Sequence, residues 1–250
     1  MNSLPSVTVL IPTFCRTRRL AEAIYSALNQ DYAGKIDVLV LNDYNKQTLR
    51  CVDPRVEIVN VERRVGPLSA KRDMMLLMAS GEWIAFLDDD DLLMPWHLRQ
   101  IKPESAATLP QSIFTVDDVG NWTCDRVLGG IHFLVRRPEA LSVGFKSGLD
   151  VGEDNAFRNA VLAAYKNSIA QSPVPSYVWR RFLPGVGHIS HMVKVDASPD
   201  VDRFIAAADE RVANGLEPKG EVVITPRWEQ DYWEEVQRRF PDEMVPRRKP

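Results

Sequence analysis

Two short, nearly all-apolar runs, Val7-Thr-Val-Leu-Ile11 and Ile36-Asp-Val-Leu-Val-Leu41, flank an amphipathic stretch and restrict this chain to a narrow set of folds. Runs of that kind are the form strands take when both faces of a parallel sheet are covered. Pro12 ends the first. Between them Leu20, Ile24 and Leu28 recur at helical spacing, with Thr17 placed as an N-cap, so strand, helix and strand make one βαβ unit. The pattern repeats with a strand over Arg55 to Val61, a helix over Pro67 to Ala79 and a fourth strand over Trp83 to Leu87. In that helix Leu68, Met75 and Met78 face inward and Gly81 serves as the C-cap. The first ~90 residues therefore read as a doubly wound α/β half-domain.

Four consecutive aspartates, Asp88 to Asp91, lie just beyond the carboxyl end of that fourth strand, where open α/β sheets bind ligands. In an extended segment Asp88 and Asp90 share a face while Asp89 points away. Two carboxylates roughly 6 to 7 Å apart repel by about 2 to 3 kcal/mol at an effective dielectric of ~20, and a divalent cation reverses that sign. Oxygen-only ligands suit Mg²⁺ or Mn²⁺. The plain alternative is a solvated acidic turn.

With 250 residues, 45% hydrophobic and 26% charged, the chain can bury a substantial core, and its net charge of −3 provides no general attraction to nucleic acid or anionic membrane. Three scattered cysteines without a C-x-x-C pair argue against a zinc site and a disulfide framework and fit a reducing cytoplasm. Neither a secretory leader nor an apolar run of ~18 residues is present, so no transmembrane segment is expected, and peripheral membrane contact or a homo-oligomer stays open.

After Pro110 the alternation weakens. Ile131 to Val135 reads as a strand after Gly129-Gly130, a helix starts near Glu153 with Phe157, Val161 and Tyr165 on one face, and Pro175 to Phe182 is strand-like. Ser198-Pro199 opens a helix that Gly215 stops, and a last helix over Arg227 to Phe240 carries the stripe Trp228, Tyr232, Val236, Phe240. Such a stripe is most often core packing; the alternative is a membrane-surface or partner-binding face.

Three ordered blocks, Val9-Leu-Ile-Pro-Thr-Phe14, Gly66-Pro-Leu-Ser-Ala-Lys-Arg72 and Gly81 to Leu92, resemble the family 2 glycosyltransferases of GT-A fold. The resemblance covers residues 6 to 100, is patchier to about 191, and stops there. It implies a GT-A, Rossmann-like mixed α/β sheet flanked by helices, with a C-terminal helical extension. By it residues 1–116 form the nucleotide-sugar-binding half, 117–198 the acceptor and catalytic half, and 199–250 the extension.

The resemblance also implies a metal-dependent, inverting transfer of a single sugar from a nucleotide diphosphate, most simply a UDP-sugar, to an acceptor hydroxyl. Asp90 is then a direct ligand of Mn²⁺ or Mg²⁺, Asp88 meets the donor ribose or a metal-bound water, Asp89 belongs to the same donor motif, and Asp91 is a turn or cap. Pro12 and Thr13 lie against the base, Asp43 accepts from uracil N3–H, and Arg72 stands near the phosphates, with Lys71 and Arg16 as further cations. The family's usual Asp-Asp-Gly-Ser is Asn42-Asp43-Tyr44-Asn45 here, which weakens the uridine assignment.

In Gly152-Glu153-Asp154, Asp154 matches the catalytic base and Glu153 the residue holding the site or acceptor; Gly130, after Gly129, matches a loop approached closely by sugar. His188, with His191 in reserve, would complete the metal site, and Arg180 or Arg181 would face diphosphate. The acceptor stays open among a glycan, a lipid-linked sugar, a protein and a modified nucleobase. Two competing readings are a catalytically silent GT-A module and a haloacid-dehalogenase-type phosphatase, the latter opposed by a motif after the fourth rather than the first strand.

Overall fold

The computed structural model describes residues 4–127, 129–145, 148, 152–181, 201–241 and 246. The first βαβ unit is β1 (Val7–Thr13), α1 (Thr17–Leu28) and β2 (Ile36–Asn42), followed by a short β3 (Gln47–Cys51) and β4 (Val56–Asn60). Next come α2 (Leu68–Met78), β5 (Trp83–Phe86), the two-residue β6 (Leu92–Leu93), β7 (Ala107–Pro110), β8 (Ser112–Val116), β9 (Trp122–Arg126) and β10 (Leu134–Arg136). The rest is α3 (Arg137–Val143), α4 (Glu153–Ala164), β11 (Ile169–Ser172), β12 (Tyr177–Arg180), α5 (Val201–Ala213), β13 (Gly220–Ile224) and α6 (Tyr232–Arg239).

A seven-stranded sheet in the order β11-β7-β10-β5-β1-β2-β4 forms the frame. Its β5-β1-β2-β4 half is parallel, and β10 runs antiparallel between β5 and β7, so the sheet is mixed. The apolar runs behave as buried central strands: Val7, Val9 and Ile11 pack against Leu20, Ile24 and Ala27 of α1, while Leu10 and Leu39 pack with Met75 and Leu76 of α2 on the other face. Covering both faces with helices is what allows those strands to be apolar throughout.

A second sheet, β6-β12-β8-β9, stands beside the first, and a two-stranded sheet pairs β3 with β13 of the C-terminal segment. The C-terminal extension thus contains a strand as well as its helices. α6 packs Tyr232 and Val236 against Leu92, Met94, Phe114 and Val178 of the second sheet. The aromatic stripe is accordingly core, although Trp228 and Phe240 lie outside the helix that Asp231 caps.

Several local expectations give way. Arg16, not Thr17, precedes the first helical residue, because the Thr17 hydroxyl is engaged elsewhere, donating to Glu217 at 2.8 Å. Ala79 takes the C-cap of α2 in place of Gly81; a Cβ on Gly81 would lie 2.4 Å from the Thr8 nitrogen, so glycine is required by a close approach to β1. Met78 points to solvent, and Leu76 is buried in its stead. The strand expected over Ile131 to Val135 is confined to Leu134–Arg136.

Candidate functional site

The carboxyl ends of β1 and β5 meet at one cavity of about 680 Å³, into which Pro12, Thr13, Asp43, Arg72, Gly130 and Asp154 all face. Its floor is a dense set of ion pairs. At the end of β1 the Thr13 hydroxyl donates to Asp89 Oδ2 at 2.7 Å, and one Arg16 Nη spans Asp89 Oδ1 at 2.9 Å and Asp90 Oδ2 at 2.8 Å.

β5 stops at Phe86, so strand alternation does not reach the aspartates. The chain turns instead, with the Asp91 N–H donating to the Asp88 carbonyl. This corrects the expectation that Asp88 and Asp90 share a face: Asp89 and Asp90 converge on Arg16, while Asp88 pairs with Arg72 at 2.8 Å. Asp91 does more than sit in that turn. It accepts from the Tyr177 hydroxyl at 2.9 Å and the Arg180 N–H at 2.8 Å, tying the turn to β12. Arg180 itself is buried against Glu22 and the Asp90 carbonyl, whereas Arg181 is exposed at the cavity.

Arg72 on α2 also reaches Glu153 at 3.2 Å, so one guanidinium joins the aspartate turn to the start of α4. Glu153 is nearly buried, and burial raises its carboxyl to about 7 despite the pull of Arg72. Burial pushes the Asp89 carboxyl up as well, against Arg16. Asp154, the next residue, lines the cavity and accepts the Asn155 N–H at 2.7 Å. Both acids occupy the first turn of α4, where the helix dipole favours negative charge.

Asp43 is buried, accepting from Lys71 Nζ at 2.6 Å and the Val65 N–H at 2.8 Å, while Lys71 also donates to the Thr13 carbonyl. Gly130 adopts φ +80°, and a Cβ there would lie 2.4 Å from the His132 ring. Sequence reasoning missed His132. It lines the cavity, packs 4.5 Å from the Tyr177 ring, and is held below the usual histidine range by burial. The available signal was its place two residues after Gly130, obscured by assigning the whole run to a strand. His188 and His191 lie outside the described residues.

An open α/β sheet gathers an acidic turn, buried cations and a carboxylate-tipped helix around one large cavity at its strand ends, where such sheets bind ligands. Residues 8–116 match the family model described as Glycosyl transferase family 2. That match covers less than half of the chain: the segment is similar to family 2 glycosyltransferases, and the fold of the chain as a whole is of GT-A type.

Over 114 residues it is 31% identical to an N-acetylglucosaminyltransferase of Rhizobium leguminosarum bv. phaseoli, covering 42% of this chain and 26% of that protein. Over 99 residues it is 34% identical to the GalNAc(5)-diNAcBac-PP-undecaprenol beta-1,3-glucosyltransferase of Campylobacter jejuni, covering 36% and 31%. The matches span less than a third of each of these relatives. Among solved structures, S. aureus TarS 1-349 in complex with UDP-GlcNAc superposes with a TM-score of 0.57 at 16% identity, covering 84% of this chain and 73% of that one. Mannosyltransferase PcManGT from Pyrobaculum calidifontis in complex with GDP-Man and Mn²⁺ gives 0.50 at 18% identity, covering 86% and 74%.

Proposed function

We propose that this chain transfers a single sugar, with inversion and in a metal-dependent manner, from a nucleotide diphosphate, most simply UDP, to an acceptor hydroxyl. The observation that carries the reading is the convergence of Asp88, Asp90, Glu153 and Asp154 on one cavity at the carboxyl ends of β1 and β5. Residues 1–116 would bind the donor, 117–198 would shape the acceptor side, and the extension would close the donor end, where Phe204 of α5 lines the cavity. Cys15, Cys51 and Cys124 form no disulfide among the described residues, which accords with a cytoplasmic setting, and among the described residues no helix is long and apolar enough to cross a membrane.

The donor set fits a hard divalent ion: carboxylate oxygens only, with Asp88 about one-third exposed toward the cavity. Among the described residues no group of three or more acidic, histidine or cysteine side chains forms a metal cage. Asp88 and Asp90, paired here with Arg72 and Arg16, are the residues that would hold Mn²⁺ or Mg²⁺. When bound, the ion would neutralise charge gathering on the departing diphosphate.

Arg16, Lys71 and Arg72 supply fixed positive charge on the same side of the cavity. Pro12, Thr13 and Asp43 are the residues for the base; both Asp43 oxygens already accept protein hydrogen bonds, and each keeps a lone pair for a ligand N–H. Asp154 is the base that takes the acceptor proton as the new C–O bond forms and the bond to diphosphate breaks. Glu153, anchored by Arg72, fixes the start of α4 and with it the aim of Asp154.

A panel of nucleotide sugars with Mn²⁺, read by release of nucleoside diphosphate, tests the proposal. Release from one donor supports it. Metal-dependent nucleotide binding without any turnover would favour the catalytically silent module instead.

A further inference from the structure

The second sheet turns one face to the cavity. Strand alternation sends Phe114 and Val178 into the core beneath α6, and directs Ile113, Thr115, Trp179 and Arg181 toward the cavity. Trp179 and Thr115 are direct cross-strand neighbours. The half-buried Trp179 ring has the Arg181 guanidinium 5.2 Å above its centre. Thr115 is only 5% exposed, yet its hydroxyl has no hydrogen-bond partner among the described residues. A buried hydroxyl on a cavity wall costs stability unless a ligand completes it.

These three groups are unlike the acidic floor. An aromatic face accepts the apolar face of a sugar ring, an unsatisfied hydroxyl accepts or donates to a ring substituent, and an exposed guanidinium suits a carboxylate or phosphate. Charge sets the orientation. At the inner end the acids are paired with Arg16 and Arg72 and the site is assigned to the donor, so the cations left for an acceptor's anionic group are at the sheet's rim, where Arg126 and Arg181 outnumber Asp125, which itself accepts from Thr123.

We propose that Thr115, Trp179 and Arg181 form the acceptor subsite and that it takes a saccharide bearing an anionic substituent, with the ring on Trp179 and the negative group outward at Arg181. This rests on the donor-site reading above and names the substrate class that reading leaves open.

The test uses the full chain with UDP and Mn²⁺ and measures binding of glucose, glucuronic acid and glucose 1-phosphate by ligand-observed NMR. UDP binding is recorded in parallel. In wild type both charged sugars should bind about five-fold tighter than glucose, the value of one exposed ion pair, and Arg181→Gln should remove that margin. Trp179→Ala should weaken all three about ten-fold through loss of the ring, and Trp179→Phe should largely restore them. A margin for phosphate alone or carboxylate alone identifies which anion the site takes. Equal binding of the three sugars alongside normal UDP binding overturns the subsite alone; absence of UDP binding overturns the donor reading and this one with it.

Discussion

Arg72 donates from Nη2 to Asp88 Oδ1 at 2.8 Å, from a side chain only 4% exposed. Its Nε lies 3.2 Å from Glu153, so the same buried cation joins the aspartate turn to the start of α4. Replacing Arg72 with Met should cost about 3 kcal/mol in urea denaturation, because Glu153 would stay buried without its partner. Adding Glu153→Gln to that variant should recover part of the loss. An unchanged urea midpoint would show that the bridge contributes nothing.

The Glu153 carboxyl provides a pH signature. Its proton is held more tightly in the folded chain, at about 7, than at its ordinary 4.5. Stability contributed by the neutral form is therefore present below about 4.5 and is lost as pH rises to about 7. Melting temperatures of wild type and Glu153→Gln should match at low pH and separate in favour of Gln across that window. A constant difference would contradict the assignment.

His97 gives the opposite sign. Burial, helped by His132, lowers it from 6.5 to about 3, and its Nδ1 lies 2.8 Å from the Ser176 hydroxyl. The unfolded chain takes up a proton that the folded chain refuses, so stability falls as pH drops below 6.5. Between pH 7 and 5 that loss is on the order of 2 kcal/mol. His97→Gln should flatten this part of the wild-type profile in denaturant titrations, and an equally steep profile would remove His97 as its source.

Under the proposed roles, Asp90 and Asp154 should separate binding from chemistry. Asp90→Asn should lower UDP affinity in the presence of Mn²⁺ about ten-fold or more, whereas Asp154→Asn should keep that affinity and lose transfer by about 10²-fold. Calorimetry and a coupled diphosphate assay resolve the two. Equal affinity in wild type and Asp90→Asn would undo the ligand assignment.

The long apolar runs of β1, β2 and β5 and the Leu20-Ile24-Leu28 face of α1 were legible because each element repeats one period over several residues. β7, β8 and β9 were not, since they span four or five residues without a shared period, β7 being buried throughout and β9 carrying no buried residue, and β10 was placed only in part. At the site, residue types carried the information and geometry did not. Asp88 to Asp91 signalled an acidic rim, but the alternation argument needs extended chain, and the turn after Phe86 hands Asp89 and Asp90 together to Arg16. The buried ion pairs Arg72–Glu153 and Lys71–Asp43 join separate elements, so no local pattern announces them.

Native mass spectrometry of the full chain with mixed nucleotide sugars, with and without Mn²⁺, addresses the central claim most directly. The account predicts one UDP-sugar adduct that carries the metal, is lost on chelation, and is absent in Asp90→Asn. No nucleotide adduct, or one that forms equally in Asp90→Asn and in chelator, would contradict it.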